Sequence, residues 1–305
     1  MRIIFMGTPA FACPSLAALY EAGHEICAVF TQLDKPKNRG MQLALPPVKE
    51  LALSHGTPVY QPKTLRDGEA VEIIRALAPE LIVVVAYGKI LPREILDLPP
   101  FGCVNVHASL LPQYRGAAPI QWAVLNGERV TGITLMQMDE GLDTGDMIAV
   151  RETEILPNET SGQLFDRLCT LGAELLTDTI PAIANGTATR TPQDHTKATH
   201  APLLSRDMSP VDWTRPTEEI VNQIRGLNPW PMATAAFGDK IFKLHAAHVG
   251  ANSVRPSVPH GTILSAGADG LEIACGDGSV VITTLQAPGK KPMAAADYLR
   301  GNPIE

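Results

Sequence analysis

The chain has 305 residues, of which 45% are hydrophobic, 19% charged and 5% aromatic, a composition that excludes disorder as the main state and suggests about two domains. The formal net charge is −7, so any polyanion has to be met by a local basic patch. No apolar run reaches the roughly 18 residues of a transmembrane helix, and five scattered cysteines (Cys13, Cys27, Cys103, Cys169, Cys275) fit neither a disulfide framework nor a zinc knuckle. A reducing, cytoplasmic location is expected.

In chain order, Arg2 to Met6 is a short apolar run, too short for a signal peptide and read as a first strand. Residues 14–22 are helical, ended by Gly23, and residues 25–31 form a second strand. A helix over 47–54, a short strand over 57–60, a helix over 69–78 and a valine-rich strand over 81–86 follow. Continuous rather than alternating apolar strands fit a parallel sheet covered on both faces, and the strand–helix alternation predicts a doubly wound α/β domain. Strands are expected at 102–107, 133–138 and 149–154, with helices at 117–126, where Pro119 sits in the first turn, and at 161–183.

The texture then changes. Residues 185–202 are polar, with Gly, Thr, His, Asp and two prolines, and read as a linker. After a helix at 217–225 come short β runs at 234–237, 240–246, 261–266, 271–274 and 280–285, separated by Gly and Asp turns, which suggests a small β-barrel.

Candidate chemistry is densest from 105 to 146. Asn105 and His107 are two apart, so on a strand they share one face, while Val104 and Val106 share the other. They end their strand at the carboxyl side, where ligands bind in open α/β sheets. An amide N–H and an imidazole aimed at one point would stabilise an oxyanion; a satisfied polar pair at a strand end is the plainer alternative. The segment Met138-Asp139-Glu140-Gly141-Leu142-Asp143-Thr144-Gly145-Asp146 places three aspartates and two glycines in one loop. A carboxylate from it could orient His107 and favour its charged form, and the spacing does not match an EF-hand.

Weaker signals lie elsewhere. Gly7-Thr8-Pro9 follows the first strand but lacks the later glycines of a dinucleotide-binding loop. Lys35, Lys37 and Arg39 put three positive charges into five residues, and Lys290-Lys291 form a second small patch; such charges could meet phosphates, but the plainer reading is a solvated loop. His195 and His200 fall in the expected linker and read as solvated, while His245 and His248 face opposite sides of an apparent strand.

The run NVHASLLPQYRGAAPIQ from Asn105 to Gln121, followed by MQMDEGLDTGDM, resembles the folate-dependent formyltransferase family. RIIFMGTPAFA, FTQLDKPKNRG, VVVAYGKILP, NPWPM and the C-terminal GTIL…GDG…LQAPGKK extend the likeness along the whole chain. The resemblance implies transfer of a formyl group from 10-formyltetrahydrofolate to the amino group of methionine on initiator tRNA, with Asn105, His107 and Asp143 as the catalytic set. It implies folate binding along Ser109, Leu110, Leu111 and Pro112, and tRNA contact through Arg39. Lys35, Lys37, Lys290 and Lys291 are expected to extend that positive charge. It also implies a formyltransferase catalytic domain over residues 1–188, a linker over 189–206 and an OB-like tRNA-binding domain over 207–305. No metal, DNA or membrane partner is expected, and the chain is expected to be a monomer.

Two departures remove positive charge. Met41 and Gln42 stand where the family loop often carries lysines, and His200-Ala201-Pro202-Leu203 replaces a Tyr-Ala-x-Lys pattern. They bear on the strength of tRNA binding, not on the chemistry. Transfer to a nucleotide sugar or to glycinamide ribonucleotide, hydrolysis of the formyl-folate, and a non-catalytic folate- or RNA-binding module are the rival readings.

Overall fold

The computed structural model describes residues 1–37, 42–251, 257–302 and 304. In chain order the first part contains β1 (Arg2–Gly7), α1 (Cys13–Glu21), β2 (Glu25–Phe30), β3 (Lys35–Lys37), β4 (Gln42–Ala44), α2 (Pro47–Ser54), β5 (Val59–Tyr60), α3 (Glu69–Leu77), β6 (Leu81–Val85), α4 (Arg93–Leu96) and β7 (Cys103–His107). There follow β8 (Arg115–Gly116), α5 (Pro119–Leu125), β9 (Val130–Gln137), β10 (Met147–Glu154), α6 (Ser161–Ala184) and β11 (His200–Ala201). The last part contains α7 (Thr217–Gly226), β12 (Ala233–Phe237), β13 (Lys240–Val249), β14 (Ile263–Gly267), β15 (Gly270–Ala274), β16 (Ser279–Gln286), β17 (Met293–Ala294) and α8 (Ala295–Leu299).

The apolar runs assemble as the sequence predicts. A seven-stranded sheet has the order β10-β9-β7-β6-β1-β2-β5. β2, β1, β6 and β7 are mutually parallel along this order, β5 joins β2 in parallel, and β9 runs antiparallel to β7. Every residue of β6 is buried, which is why Leu-Ile-Val-Val-Val shows no polar alternation. On one face Ile4, Met6, Phe30, Ile82 and Val84 pack with Val71 and Ile74 of α3. The strand order reverses beside β1, and the carboxyl ends there form the crevice where doubly wound sheets bind ligands. At those ends Gln32 N–H donates to Thr8 Oγ1 at 3.1 Å and Gln32 Nε2 donates to the Tyr87 carbonyl at 2.9 Å, so the segments after β1, β2 and β6 are tied together.

The chain divides into two compact units. One comprises residues 1–119, 131–153 and 165–201, the other residues 120–130, 154–164 and 202–305. The second carries the expected C-terminal β structure as an antiparallel sheet, order β12-β13-β16-β15-β14, with β17 paired to β16. Ile220 and Ile224 of α7 and Tyr298 of α8 share its core with Phe242, Leu244, Ile273 and Ile282. β13 runs to Val249 rather than to Ala246, and its register against β16 shifts between Leu244 and Ala247, which breaks the alternation that would have marked its length. No helix among the described residues is long and apolar enough to cross a membrane.

Residues 189–206, expected as a linker, carry structure of their own. Thr191 bridges to Met147, Asp194 caps a short turn by accepting from Thr196 N–H, and β11 pairs in parallel with β8. Polar composition concealed this because the segment is held mainly through backbone groups.

Candidate active site

β7 has the sequence Cys-Val-Asn-Val-His and is buried along its whole length. It lies between β6 and β9, with Asn105 opposite Val84 on one side and Met136 on the other. Two ladders therefore fix its register, and the two-residue period turns Asn105 and His107 to one face. Val106 goes to the other, where it meets Gly172 of α6. Asn105 is 9% exposed and His107 6%.

Both nitrogens of His107 have assigned neighbours. Nε2 lies 3.0 Å from the Tyr114 carbonyl oxygen, which only accepts, so Nε2 carries a proton and donates it there. Nδ1 faces the Asp143 carboxylate, with Oδ1 at 3.7 Å, too long for a hydrogen bond but close for an ion pair. The nitrogen left for chemistry is thus Nδ1. The other Asp143 oxygen, Oδ2, accepts from Gly116 N–H at 2.8 Å, which aims the carboxylate.

The route of Asp143 to this position is indirect. Because β9 is antiparallel to β7, it delivers the chain beside Val104, not beside His107. Loop 138–146 has to fold back to bring Asp143 to the imidazole. Asp139 stabilises the fold-back by accepting from Gly141 N–H at 3.0 Å and Thr144 Oγ1 at 2.6 Å, so it is a turn-former, whereas Asp143 is the loop aspartate that faces His107. A Cβ on Gly145 would run into the Gln137 carbonyl, so this close approach requires glycine.

Two side-chain-bearing residues here hold left-handed backbone: Tyr114 at φ 59° and Asp143 at φ 53°. Such conformations cost on the order of 1–3 kcal/mol each and persist only where the surroundings over-determine them. For Tyr114 the determinant is Thr199, whose Oγ1 accepts from Tyr114 N–H at 2.8 Å and whose carbonyl accepts from Arg115 N–H at 2.9 Å.

A family model described as formyl transferase matches residues 1–180, and one described as its C-terminal domain matches residues 203–303. A methionyl-tRNA formyltransferase of Trichlorobacter lovleyi is 51% identical over 303 residues, 99% of this chain and 95% of that protein. The chain belongs to the formyl transferase family. Solved structures share the fold. A methionyl-tRNA formyltransferase from Clostridium thermocellum superposes with a TM-score of 0.56 at 20% identity, covering 82% of this chain and 94% of that one. An N-formyltransferase from Helicobacter canadensis, solved with folinic acid and dTDP-3-aminofucose, gives 0.69 at 18% identity, covering 94% and 99%.

The remaining positions that the formyltransferase resemblance singled out are spread more widely. Ser109 is fully buried and its hydroxyl donates to the Gln113 carbonyl at 2.7 Å, while its own carbonyl accepts from Thr134 Oγ1 at 2.7 Å. Leu111 is buried too, whereas Leu110 and Pro112 are partly exposed. Leu110 rests over Gly132 of β9, where a Cβ would meet its side chain. Lys35 is exposed on β3, which pairs with β4 as a hairpin. Arg39 and Met41 lie outside the described residues, and the side chain of Lys37 is likewise not described. Lys290 and Lys291 are exposed in the turn after β16, where Gln286 Nε2 donates to the Lys290 carbonyl at 2.7 Å. Among the described residues no three His, Cys, Asp or Glu side chains gather as a metal site. Sequence reading missed Tyr114, Gly116 and Thr199, which act here through backbone groups or one hydroxyl and leave no spacing signal.

Proposed function

We propose that the chain transfers the formyl group of 10-formyltetrahydrofolate to the amino group of methionine on initiator methionyl-tRNA. The observation that carries the reaction class is His107 held between the Tyr114 carbonyl and the Asp143 carboxylate, on the same strand face as Asn105. The acceptor follows from whole-length similarity to methionyl-tRNA formyltransferases.

In this reading the substrate amine forms a bond to the formyl carbon, giving a tetrahedral oxyanion. The Asn105 amide and the Nδ1–H of His107 stabilise that oxyanion, and the Asp143 carboxylate balances the imidazolium. The bond from the formyl carbon to the folate nitrogen then breaks, and the proton lost by the amine ends on that nitrogen, with Asp143 assisting its movement. The folate is a co-substrate. Leu110 and Pro112 fit its flat ring system, being apolar and partly exposed, whereas the Ser109 hydroxyl is already committed within its loop.

Residues 1–188 carry the chemistry in this proposal and residues 207–305 hold RNA. Lys35, Lys37 and Arg39 in one unit, and Lys290 and Lys291 in the other, meet phosphates, which gives an acidic protein local positive charge and makes tRNA binding fall with salt. The enzyme works as a cytoplasmic monomer, in keeping with five free thiols.

The test is an acceptor comparison. Purified protein with 10-formyltetrahydrofolate is expected to formylate initiator methionyl-tRNA and to leave free methionine untouched. Deformylation of the folate with neither acceptor modified would overturn the acceptor, and no turnover of the folate would overturn the chemistry.

A further inference from the structure

Gln193 lies in the segment that composition marks as a linker, yet it is 5% exposed. Its carboxamide nitrogen donates to the Asp143 carbonyl at 2.9 Å and to the Gly145 carbonyl at 2.7 Å. Its carboxamide oxygen accepts from Arg115 Nε at 3.2 Å and Nη2 at 2.6 Å. Both N–H donors and both acceptor sites of the amide are thereby used. The orientation of the amide is also settled, since carbonyls only accept and a guanidinium only donates.

The two carbonyls are that of Asp143 itself and that of Gly145, two residues further on, so the chain is held as it leaves Asp143. Asp143 sits in left-handed backbone, and its carboxylate stops 3.7 Å from His107 Nδ1. Gly116 N–H fixes the end of that side chain, and within the loop Asp139 holds Gly141 N–H and the Thr144 hydroxyl without constraining the Asp143 and Gly145 carbonyls. Gln193 supplies that constraint from 50 residues away. Arg115, which holds the carboxamide, is adjacent to both Tyr114, whose carbonyl accepts the hydrogen bond from His107 Nε2–H, and Gly116, whose N–H donates to Asp143. One side chain thus joins the supports of both sides of the imidazole.

We propose that Gln193 is a positioning residue for the formyl transfer, setting the backbone about Asp143 so that its carboxylate stays against His107. This rests on the catalytic reading given above. It assigns to Gln193 no contact with either substrate. A glutamate at this position would keep the Arg115 pairing but face two carbonyl oxygens with no donor, and a methionine would keep the volume and lose all four bonds.

The experiment is steady-state kinetics of the full chain with 10-formyltetrahydrofolate and initiator methionyl-tRNA, for Gln193→Glu, Gln193→Met, Asp143→Asn and the double variant Asp143→Asn/Gln193→Met. Thermal unfolding is followed in parallel. Each Gln193 variant is expected to lower kcat by about ten- to a hundredfold, since small misplacements of a reacting group have effects of that size. KM for both substrates should stay within about twofold, as for a residue that binds neither. In the Asp143→Asn background Gln193→Met should cost nothing further, because its effect runs through Asp143. A wild-type kcat for Gln193→Glu, or an equal loss from Gln193→Met in both backgrounds, would overturn the inference. So would unfolding of both Gln193 variants at the assay temperature, which would make the residue structural. Full activity of Asp143→Asn would instead remove the catalytic reading itself, and this inference with it.

Discussion

The two halves of the candidate site are built in opposite ways. Asn105 and His107 ride on a strand whose position is set by ladders on both sides, so their placement is a property of the sheet. Asp143 rides on a loop whose position is set by the Asp139 turn within it and by bonds from Gly116 and Gln193 outside it. The strand half is fixed by regular structure and needs only the right side chains. The loop half is fixed by a few individual hydrogen bonds, any one of which can be removed without touching the core. Strand residues should therefore show losses of chemistry that track the deleted group, and loop residues should show losses that track geometry.

The largest expected effect sharpens the strand side. His107→Ala and Asn105→Ala should each lower kcat by roughly 10²–10³-fold, the usual consequence of removing one oxyanion donor, with KM for the folate little changed. Near-normal turnover in single-turnover assays of either variant would end the assignment. Next comes the loop. Gly145→Ala adds a methyl group against the Gln137 carbonyl and should displace Asp143 while leaving every catalytic side chain present. A kcat loss of about ten- to a hundredfold is expected with an unfolding midpoint close to that of the parent chain, because the clash falls on the last residue of β9 and leaves the strand interior untouched. If Gly145→Ala unfolded with Leu135→Ala-like losses of several degrees and kept its kcat, loop and sheet would not be separable.

The smallest effect concerns the thiols. Burial pushes Cys103, on β7 itself, up to about 12, and Cys169 likewise to about 12. Burial also pushes Cys275 up to about 11. These groups stay neutral in the folded chain where the unfolded chain ionises, so the folded state holds the extra protons. Their contribution to stability is present below the unfolded value of 9.0 and is lost as pH climbs from there towards 11 or 12. At pH 8 a thiol-alkylating reagent should leave these three unmodified until denaturant is added, as mass spectrometry would show. Rapid labelling of Cys103 in the native chain would mean that β7 opens more readily than its burial implies.

The sheet was legible in the sequence because its strands are continuous apolar runs and its helices end at Gly23 and just before Pro79. β1, β2, β6 and β7 appear within a residue of the expected limits, and the Asn105–His107 face follows from the strand period alone. Helix α5 begins at Pro119 rather than at Ala117 because the N–H groups of Ala117 and Ala118 both donate to the Ala201 carbonyl, a partner invisible to local pattern. The hairpin of β3 and β4, the single turn α4, and the two-residue pairing of β8 with β11 are too short to show a period. The segment around Gln193 was the least legible part. Its polar composition reads as a linker, whereas Gln193 bonds to the Asp143 and Gly145 carbonyls and to the Arg115 side chain, all far along the chain.

Gln193 follows Asp143 by 50 residues, and that separation has a meaning in time. At roughly 5–20 residues per second of synthesis, the loop that bears Asp143 leaves the ribosome about 3–10 s before its anchor exists. The strand half of the site is complete when the sheet closes, but the loop half waits for the segment that runs out to Ala201. The loop half of the candidate site is therefore pinned later than the strand half.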